Sequence, residues 1–333
     1  TGHEQLTLRG QPLLSNRAAF FDTGSIIQGN RIKPVYYSDV STHFIGGEAK
    51  AKFIFRAENL SFHFRNSKYG IQPFSFSEKS GQLIGIMGGS GVGKSTLLNL
   101  LNGKLKPGTG MISINAADIG EHKNETNGLI GYVPQDDLLH EELSVFQNLY
   151  YNAKLCFGNV TENQIIEKVE IALQNLNLEG IKDLMVGNPL NKFISGGQRK
   201  RLNIALELIR EPAILFVDEP TSGLSSTDSE AVIHLLKEQT LKGKLVIINI
   251  HQPSSDIFRL LDKIWVLDKG GYPIYKGNPI DAITYFRTMS AHVNAQDSEC
   301  PVCGNVTPEQ ILQIIELKMV DEYGKYTRKR KMS

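Results

Sequence analysis

Residues 81–105 read GQLIGIMGGSGVGKSTLLNLLNGKL. Gln82 to Met87 is an apolar run of strand character. Gly88 to Ser95 fits G-x-x-x-x-G-K-[ST]. Leu97, Leu98, Leu100 and Leu101 then recur at helical spacing, and Gly103 is suited to end that helix. Strand, glycine loop, helix is the context a phosphate-binding loop requires. Glycines let successive N–H groups turn inward around an anion, and the start of the helix adds partial positive charge. Gly88, Gly89, Ser90, Gly91, Val92, Gly93, Lys94, Ser95 and Thr96 are therefore candidates to hold a nucleotide. Lys94 would reach the β- and γ-phosphates and Ser95 would hold Mg²⁺. A glycine-rich turn with a chance lysine would share these residues but not their flanks.

Two further apolar runs end in polar groups. Ala213 to Val217 lies between Pro212 and Pro220, as expected of a strand buried on both faces. It leads into Asp218 and Glu219, at the end of the strand where open α/β sheets bind ligands. Neighbours on a strand point opposite ways, so the two carboxylates divide the work. Asp218 is assigned to the Mg²⁺ shell through water, and Glu219 to polarising the attacking water as general base. Leu245 to Ile250 is a third buried strand, ending in His251, whose imidazole could bridge γ-phosphate, Glu219 and water.

Around residue 194 the chain reads ISGGQRKR and continues as the helical LNIALELIR. Ser195 alone would cap this helix. Gly196 and Gly197 weaken it by about 1 kcal/mol each relative to alanine, which makes sense only if something must approach the backbone closely. Of the basic run Arg199, Lys200 and Arg201, Lys200 in particular reads as a solvated helix face.

In this order the motifs resemble the ATP-binding subunits of ABC transporters over about residues 53–285. GGSGVGKST resembles the Walker A motif, YVPQDD the Q-loop with Gln135, ISGGQ the family signature, ILFVDEP Walker B, TSGLSS the D-loop, and His251 the switch histidine. GGQRKRLNIALEL, DEPTSGL, IHQPSSDIF and YKG are most similar to the G subfamily, the White-type half transporters, in which an ATP-binding half precedes a membrane half. The resemblance implies an α/β P-loop NTPase core with a RecA-like sheet, an antiparallel β-subdomain and an α-helical subdomain at about 136–210. It implies ATP and Mg²⁺ as ligands, with Ser95, Gln135 and Asp218 around the metal and Glu219, His251 and Gln135 in catalysis. It implies a head-to-tail dimer in which Ser195, Gly196, Gly197 and Gln198 face the γ-phosphate held by the second copy. The expected partners are that second ATP-binding domain and a transmembrane domain, at the cytoplasmic face of the cell (inner) membrane. Leu138, Leu139 and Leu143 are candidate contacts with the membrane partner. One departure stands out: the D-loop's usual aspartate is Ser225, which cannot carry charge.

Composition bounds the alternatives. With 333 residues, 41% hydrophobic and 21% charged, the chain suits an ordinary globular protein, and a net charge of +1 offers no electrostatic case for nucleic acid. Three cysteines favour a reducing compartment over a disulfide framework. No run is apolar enough to span a bilayer, and Thr1 in place of Met suggests a piece of a longer chain. The expected division is 1–50, an ordered extension of unknown role; 51–290, the ATP-binding domain; and 291–333, leading through a basic tail toward a membrane half. TENQIIEKVEIALQNLNL, from Thr161, reads as a capped helix with Ile165, Ile166, Val169, Leu173 and Leu176 on its apolar face. KFIFRAENLSFHF alternates like an antiparallel strand, in which the resemblance implies that Phe62 or Phe64 packs near adenine in place of the family's A-loop aromatic, and KIWVLDKGGYPIYKG reads as a hairpin turning at Gly270-Gly271. Cys300 and Cys303 have zinc-ligand spacing but lack a second pair. The runner-up function is a soluble ABC ATPase acting on DNA or ribosomes. A nucleotide-gated binding module without turnover is a third reading, and Glu219 and His251 argue against it.

Overall fold

A computed structural model of the chain describes residues 6–8, 11–14, 17–21, 26–29, 32–36, 53–67, 69–115, 117–119, 128–158, 160–188, 191, 193–290, 305–316, 318–320 and 326–330. Cys300 and Cys303 lie outside them. The first strands are β1 (Thr7–Leu8), β2 (Gln11–Pro12), β3 (Ile26–Gly29) and β4 (Ile32–Tyr36), which form an antiparallel sheet in the order β2-β1-β3-β4. There follow β5 (Ile54–His63), β6 (Gly70–Lys79), β7 (Leu83–Gly88), α1 (Lys94–Leu101), β8 (Thr109–Ile114), β9 (Ala117–Asp118) and β10 (Ile130–Val133). The middle of the chain holds α2 (Val145–Cys156), α3 (Glu162–Asn175), α4 (Gly196–Leu208), β11 (Ile214–Asp218), α5 (Ser226–Leu241) and β12 (Leu245–Asn249). Last come α6 (Ser255–Leu260), β13 (Lys263–Asp268), β14 (Tyr272–Gly277), α7 (Pro279–Met289), α8 (Glu309–Glu316), β15 (Lys318–Val320) and β16 (Tyr326–Arg330). Among the described residues no helix is long and apolar enough to cross a membrane.

Two compact units divide the chain. One comprises Thr1–Lys50, Leu83–Lys94 and His251–Ser333; the other comprises Ala51–Gln82 and Ser95–Ile250. In the second unit, β6-β5-β8-β9 form an antiparallel sheet, and β10, β11 and β12 run parallel. Every residue of β11 and β12 is buried, which explains their unbroken apolar sequences: both faces of these strands are covered. β5 instead alternates, burying Phe55 and Ala57 and exposing Ile54 and Arg56. The Phe55 ring meets Phe76 at 5.4 Å and Phe216 at 6.0 Å between centroids, tying the antiparallel sheet to β11.

The helices of this unit start on side-chain caps. Ser144 caps α2 and Ser195 caps α4, each through a reciprocal box with the glutamine three residues on. In α3 the Thr161 N–H donates to Gln164 Oε1 at 3.0 Å, and Ile165, Val169, Leu173 and Leu176 are buried as the periodicity indicates. Ile166 departs from that expectation and is exposed, because the stripe that α3 buries is narrower than the run of apolar residues. Buried Asn148 of α2 pins the loop before it, accepting from His140 N at 2.8 Å and donating to the carbonyls of His140 and Ser144.

In the first unit, β7 runs parallel to β13, and β13 turns antiparallel into β14. The turn falls at Gly270 and Gly271, both at positive φ, and Gly271 N donates to Asp268 O at 3.1 Å. Trp265 of β13 is fully buried.

Phe55→Ala should destabilise the fold by about 3–5 kcal/mol, as expected of a buried ring lost from a close-packed core. Urea unfolding followed by circular dichroism would show this as a lower midpoint. An unchanged midpoint would mean that the Phe55–Phe216 contact does not help join the two sheets.

Candidate functional site

The strand–loop–helix of the opening stretch forms as its sequence indicates. β7 is buried throughout, Gly91 and Gly93 take positive φ, and α1 begins at Lys94. Gly88 has no room for a side chain: a Cβ there would lie 2.5 Å from Leu267 O and 2.9 Å from Val92 Cγ2. Lys94 is 7% exposed, and its ammonium donates to the carbonyls of Gly88 at 2.9 Å and Gly89 at 2.8 Å. The loop thus curls around a buried positive charge, which satisfies that charge with its own backbone.

A second cluster gathers at the ends of β11 and β12. Asp218 is 5% exposed. Its Oδ1 accepts from Asn249 Nδ2 at 2.6 Å and from Ser95 Oγ at 3.3 Å, and its Oδ2 accepts from the Tyr132 hydroxyl at 3.4 Å. Burial, then the charge of Asp218 and the hydrogen bond to it, push the Tyr132 phenol up to about 12, so it remains a donor at neutral pH. Lys104 Nζ sits 3.8 Å from the centre of the Tyr132 ring.

Motif reading missed Tyr132 and Asn249. Their signals were present but unspecific: Tyr132 opens the YVPQDD stretch, and Asn249 is a polar residue closing an apolar strand. Asn249 is 1% exposed, and its Oδ1 is buried without a hydrogen-bond partner. A hydroxyl, a carboxylate and an orphaned carbonyl oxygen are hard donors of the kind that suit Mg²⁺ and the water around it. Among the described residues no group of three or more His, Cys, Asp or Glu is placed to hold a metal ion.

Glu219 follows Asp218 in a different backbone conformation from the one its sequence suggested. β11 ends at Asp218, and Glu219 takes a left-handed φ of 45° with its N–H donating to Asn249 O at 3.1 Å. The chain thus leaves the strand at Glu219 by a backbone turn, so strand alternation does not extend to it. His251 follows β12 directly and is exposed, ahead of Gln252 at φ 47°.

Gln135 has an exposed side chain, and its carbonyl accepts from Lys200 Nζ at 2.8 Å. Lys200 is therefore not on a solvated face. It is 8% exposed, and burial pulls its pKa down against the opposing pull of Asp137 and Asp218. Arg199 is buried beside it in a forked pair with Asp137, at 2.9 and 3.2 Å, and also donates to the carbonyls of Val186 and Gly187. Helix α4 turns its basic residues inward because the 135–137 loop presents acceptors there. Just after that loop Leu138 is 68% exposed, whereas Leu139, expected beside it at the membrane-partner surface, is buried. Phe62 and Phe64 pack edge to face at 4.9 Å, with Phe64 exposed.

At the start of α4, Ser195 Oγ accepts from Gln198 N at 3.2 Å and Ser195 N donates to Gln198 Oε1 at 2.7 Å. Ser195 and Gly196 are exposed; Gly197 is buried. A Cβ on Gly197 would overlap the carboxyl group of Asp228, and one on Gly196 would lie 3.4 Å from Leu224. The close approach that Gly197 permits in this chain is thus to Asp228. Ser225 caps α5, accepting from Asp228 N at 3.1 Å, and its hydroxyl donates to Asp228 Oδ2 at 3.0 Å. The negative charge absent from position 225 is present one turn later, bonded to the residue that replaced it.

Residues 71–222 match the ABC transporter family. ABC transporter G family member 28 of Arabidopsis thaliana is 38% identical over 215 residues, covering 63% of this chain and 19% of that protein. An ABC-type transporter of Penicillium crustosum is 35% identical over 274 residues, 75% of this chain and 36% of its own length. The chain thus spans between a fifth and somewhat over a third of these relatives. Among solved structures, cbiO1 from Clostridium perfringens, part of the ABC transporter complex cbiONQ, is 29% identical with a TM-score of 0.63, covering 73% of this chain and 96% of that one. An ATP-binding cassette of an ABC transporter in its ADP conformation is 26% identical with a TM-score of 0.57, covering 68% and 91%. The fold is the α/β P-loop NTPase fold of these ATPase domains.

Gly197→Ala should lower stability by about 1–3 kcal/mol through overpacking against Asp228. Asp228→Ala removes the colliding carboxyl, so the double variant should recover part of that loss in urea unfolding. Strict additivity of the two single effects would show that Asp228 is not what Gly197 accommodates.

Proposed function

Because the chain carries the ATP-binding domain of the ABC transporter family, we propose that it hydrolyses ATP to power transport across a membrane, as the ATPase part of a G-type half transporter. The observation that carries this reading is the 3.3 Å contact between Ser95 Oγ and Asp218, which joins two motifs 123 residues apart. A phosphate-loop hydroxyl and a buried carboxylate meeting there suit a metal-bound nucleotide.

In this reading Lys94 exchanges its carbonyl partners for the β- and γ-phosphates. Ser95, with Asp218 and Gln135 through water, would hold Mg²⁺, which neutralises charge on the phosphates. Asn249 and Tyr132 orient Asp218, one by a short amide hydrogen bond and the other through its phenol hydroxyl. Glu219 takes a proton from the attacking water, and His251 steadies the γ-phosphate. Ser195, Gly196, Gly197 and Gln198 close the site of a second copy, offering the free N–H groups at the start of α4 to its γ-phosphate. The exposed Leu138 and the surface around it would meet a transmembrane partner at the cytoplasmic face of the membrane.

Lys94→Ala should abolish tight ATP binding, measured by calorimetry; unchanged affinity would remove the phosphate loop from the proposal. Glu219→Gln should slow hydrolysis by about 10²–10⁴-fold while preserving binding. This variant should then collect as an ATP-bound dimer on a sizing column, and adding Ser195→Arg should return it to monomer. Near-normal hydrolysis by Glu219→Gln, or a dimer indifferent to Ser195→Arg, would separate the two stretches into unrelated sites.

A further inference from the structure

Helix α8 ends against the phosphate loop. A Cβ placed on Gly89 would lie 3.0 Å from Glu316 Oε1, so the last carboxylate of α8 lies beside the loop's second residue. Gly89 is engaged from its other end as well, since its carbonyl accepts Lys94 Nζ at 2.8 Å. Nothing in the loop motif calls for an acidic neighbour, and a carboxylate is an unfavourable companion for a site that takes phosphate.

The placement follows from how α8 is fastened. Ile311, Leu312, Ile314 and Ile315 are buried, and the helix packs on α7, where Arg287 Nε donates to Gln310 Oε1 at 2.9 Å. Just before α8, Val306 N donates to Ser255 Oγ at 3.1 Å. The backbone of Glu316 is thus carried on an anchored helix, while its side chain is exposed.

We propose that Glu316 sets the affinity and the ligand preference of the phosphate loop, by holding negative charge beside Gly89 against which an incoming phosphate must bind. This rests on the reading of residues 88–95 as a nucleotide site. Repulsion between like charges a few ångströms apart grows with the charge of the ligand, and solvent around the exposed Glu316 weakens it. The penalty therefore falls hardest on metal-free nucleotide and least on nucleotide whose phosphates are already neutralised by a divalent cation. The residue makes the loop selective for the metal complex.

The test is calorimetric titration of ADP into the full chain and its variants, in EDTA and in Mg²⁺. Glu316→Gln should bind metal-free ADP about three- to tenfold more tightly than the unaltered chain, with a smaller gain for the Mg²⁺ complex. Glu316→Lys should go further in the same direction, and both gains should shrink in high salt. A helix that served only as packing would give a change independent of salt and of metal. That result, or equal affinities in EDTA, overturns the proposal while leaving the nucleotide site intact, provided Lys94→Ala still abolishes binding. If the unaltered chain binds ADP under neither condition, or Lys94→Ala binds as well as it does, the nucleotide site itself is wrong and the role of Glu316 falls with it.

Discussion

A carboxylate buried at the end of a fully apolar strand has to be stabilised by partners, and in this protein that requirement organises the second unit. Asp218 terminates β11 with almost no access to water. Left without partners it would carry the full cost of a buried, unpaired charge. Asn249 answers it from the adjacent strand at 2.6 Å, Ser95 from the start of α1, and Tyr132 from β10. Each donor comes from a different element, so the carboxylate can be satisfied only when β10, β11, β12 and α1 are all in register. The parallel pairing of Asp218 with Asn249 at the ends of β11 and β12 is the register that does so.

The same logic recurs where the chain turns. Helix α4 begins at a capping box and then buries Arg199 and Lys200, two residues that an isolated helix would keep in water. Burying them is possible because the 135–137 segment supplies a carboxylate and a carbonyl in the right places. Those partners link the glutamine loop to the signature helix through charged hydrogen bonds, which are short and directional. A parallel link runs from Ser225 through Asp228 to Gly197, joining the D-loop to the same helix start.

Much of this was legible in advance where the information is local. The strand–loop–helix around Lys94, the buried runs of β11 and β12, the caps at Ser195 and Thr161 and the hairpin at Gly270-Gly271 all follow from spacing, because each depends on residues within a few positions. The places where reading stopped short are those where a residue's environment comes from elsewhere. Lys200 stands in a basic helical run yet is buried, Ile166 belongs to an apolar stripe yet is exposed, and nothing local marks Tyr132 or Asn249 as partners of Asp218.

By itself, then, the sequence determined the strand–glycine loop–helix around Lys94, the order of the motifs and the periodicity of the strands and helices, since covalent neighbours and backbone geometry suffice for these. Tertiary structure alone decided that Asn249 and Tyr132 hold Asp218, that Gly197 is needed to clear Asp228, that Glu219 takes a left-handed backbone, and that Glu316 lies beside Gly89. These contacts join residues distant along the chain, and their existence depends on how close-packed elements fit, which no local pattern specifies.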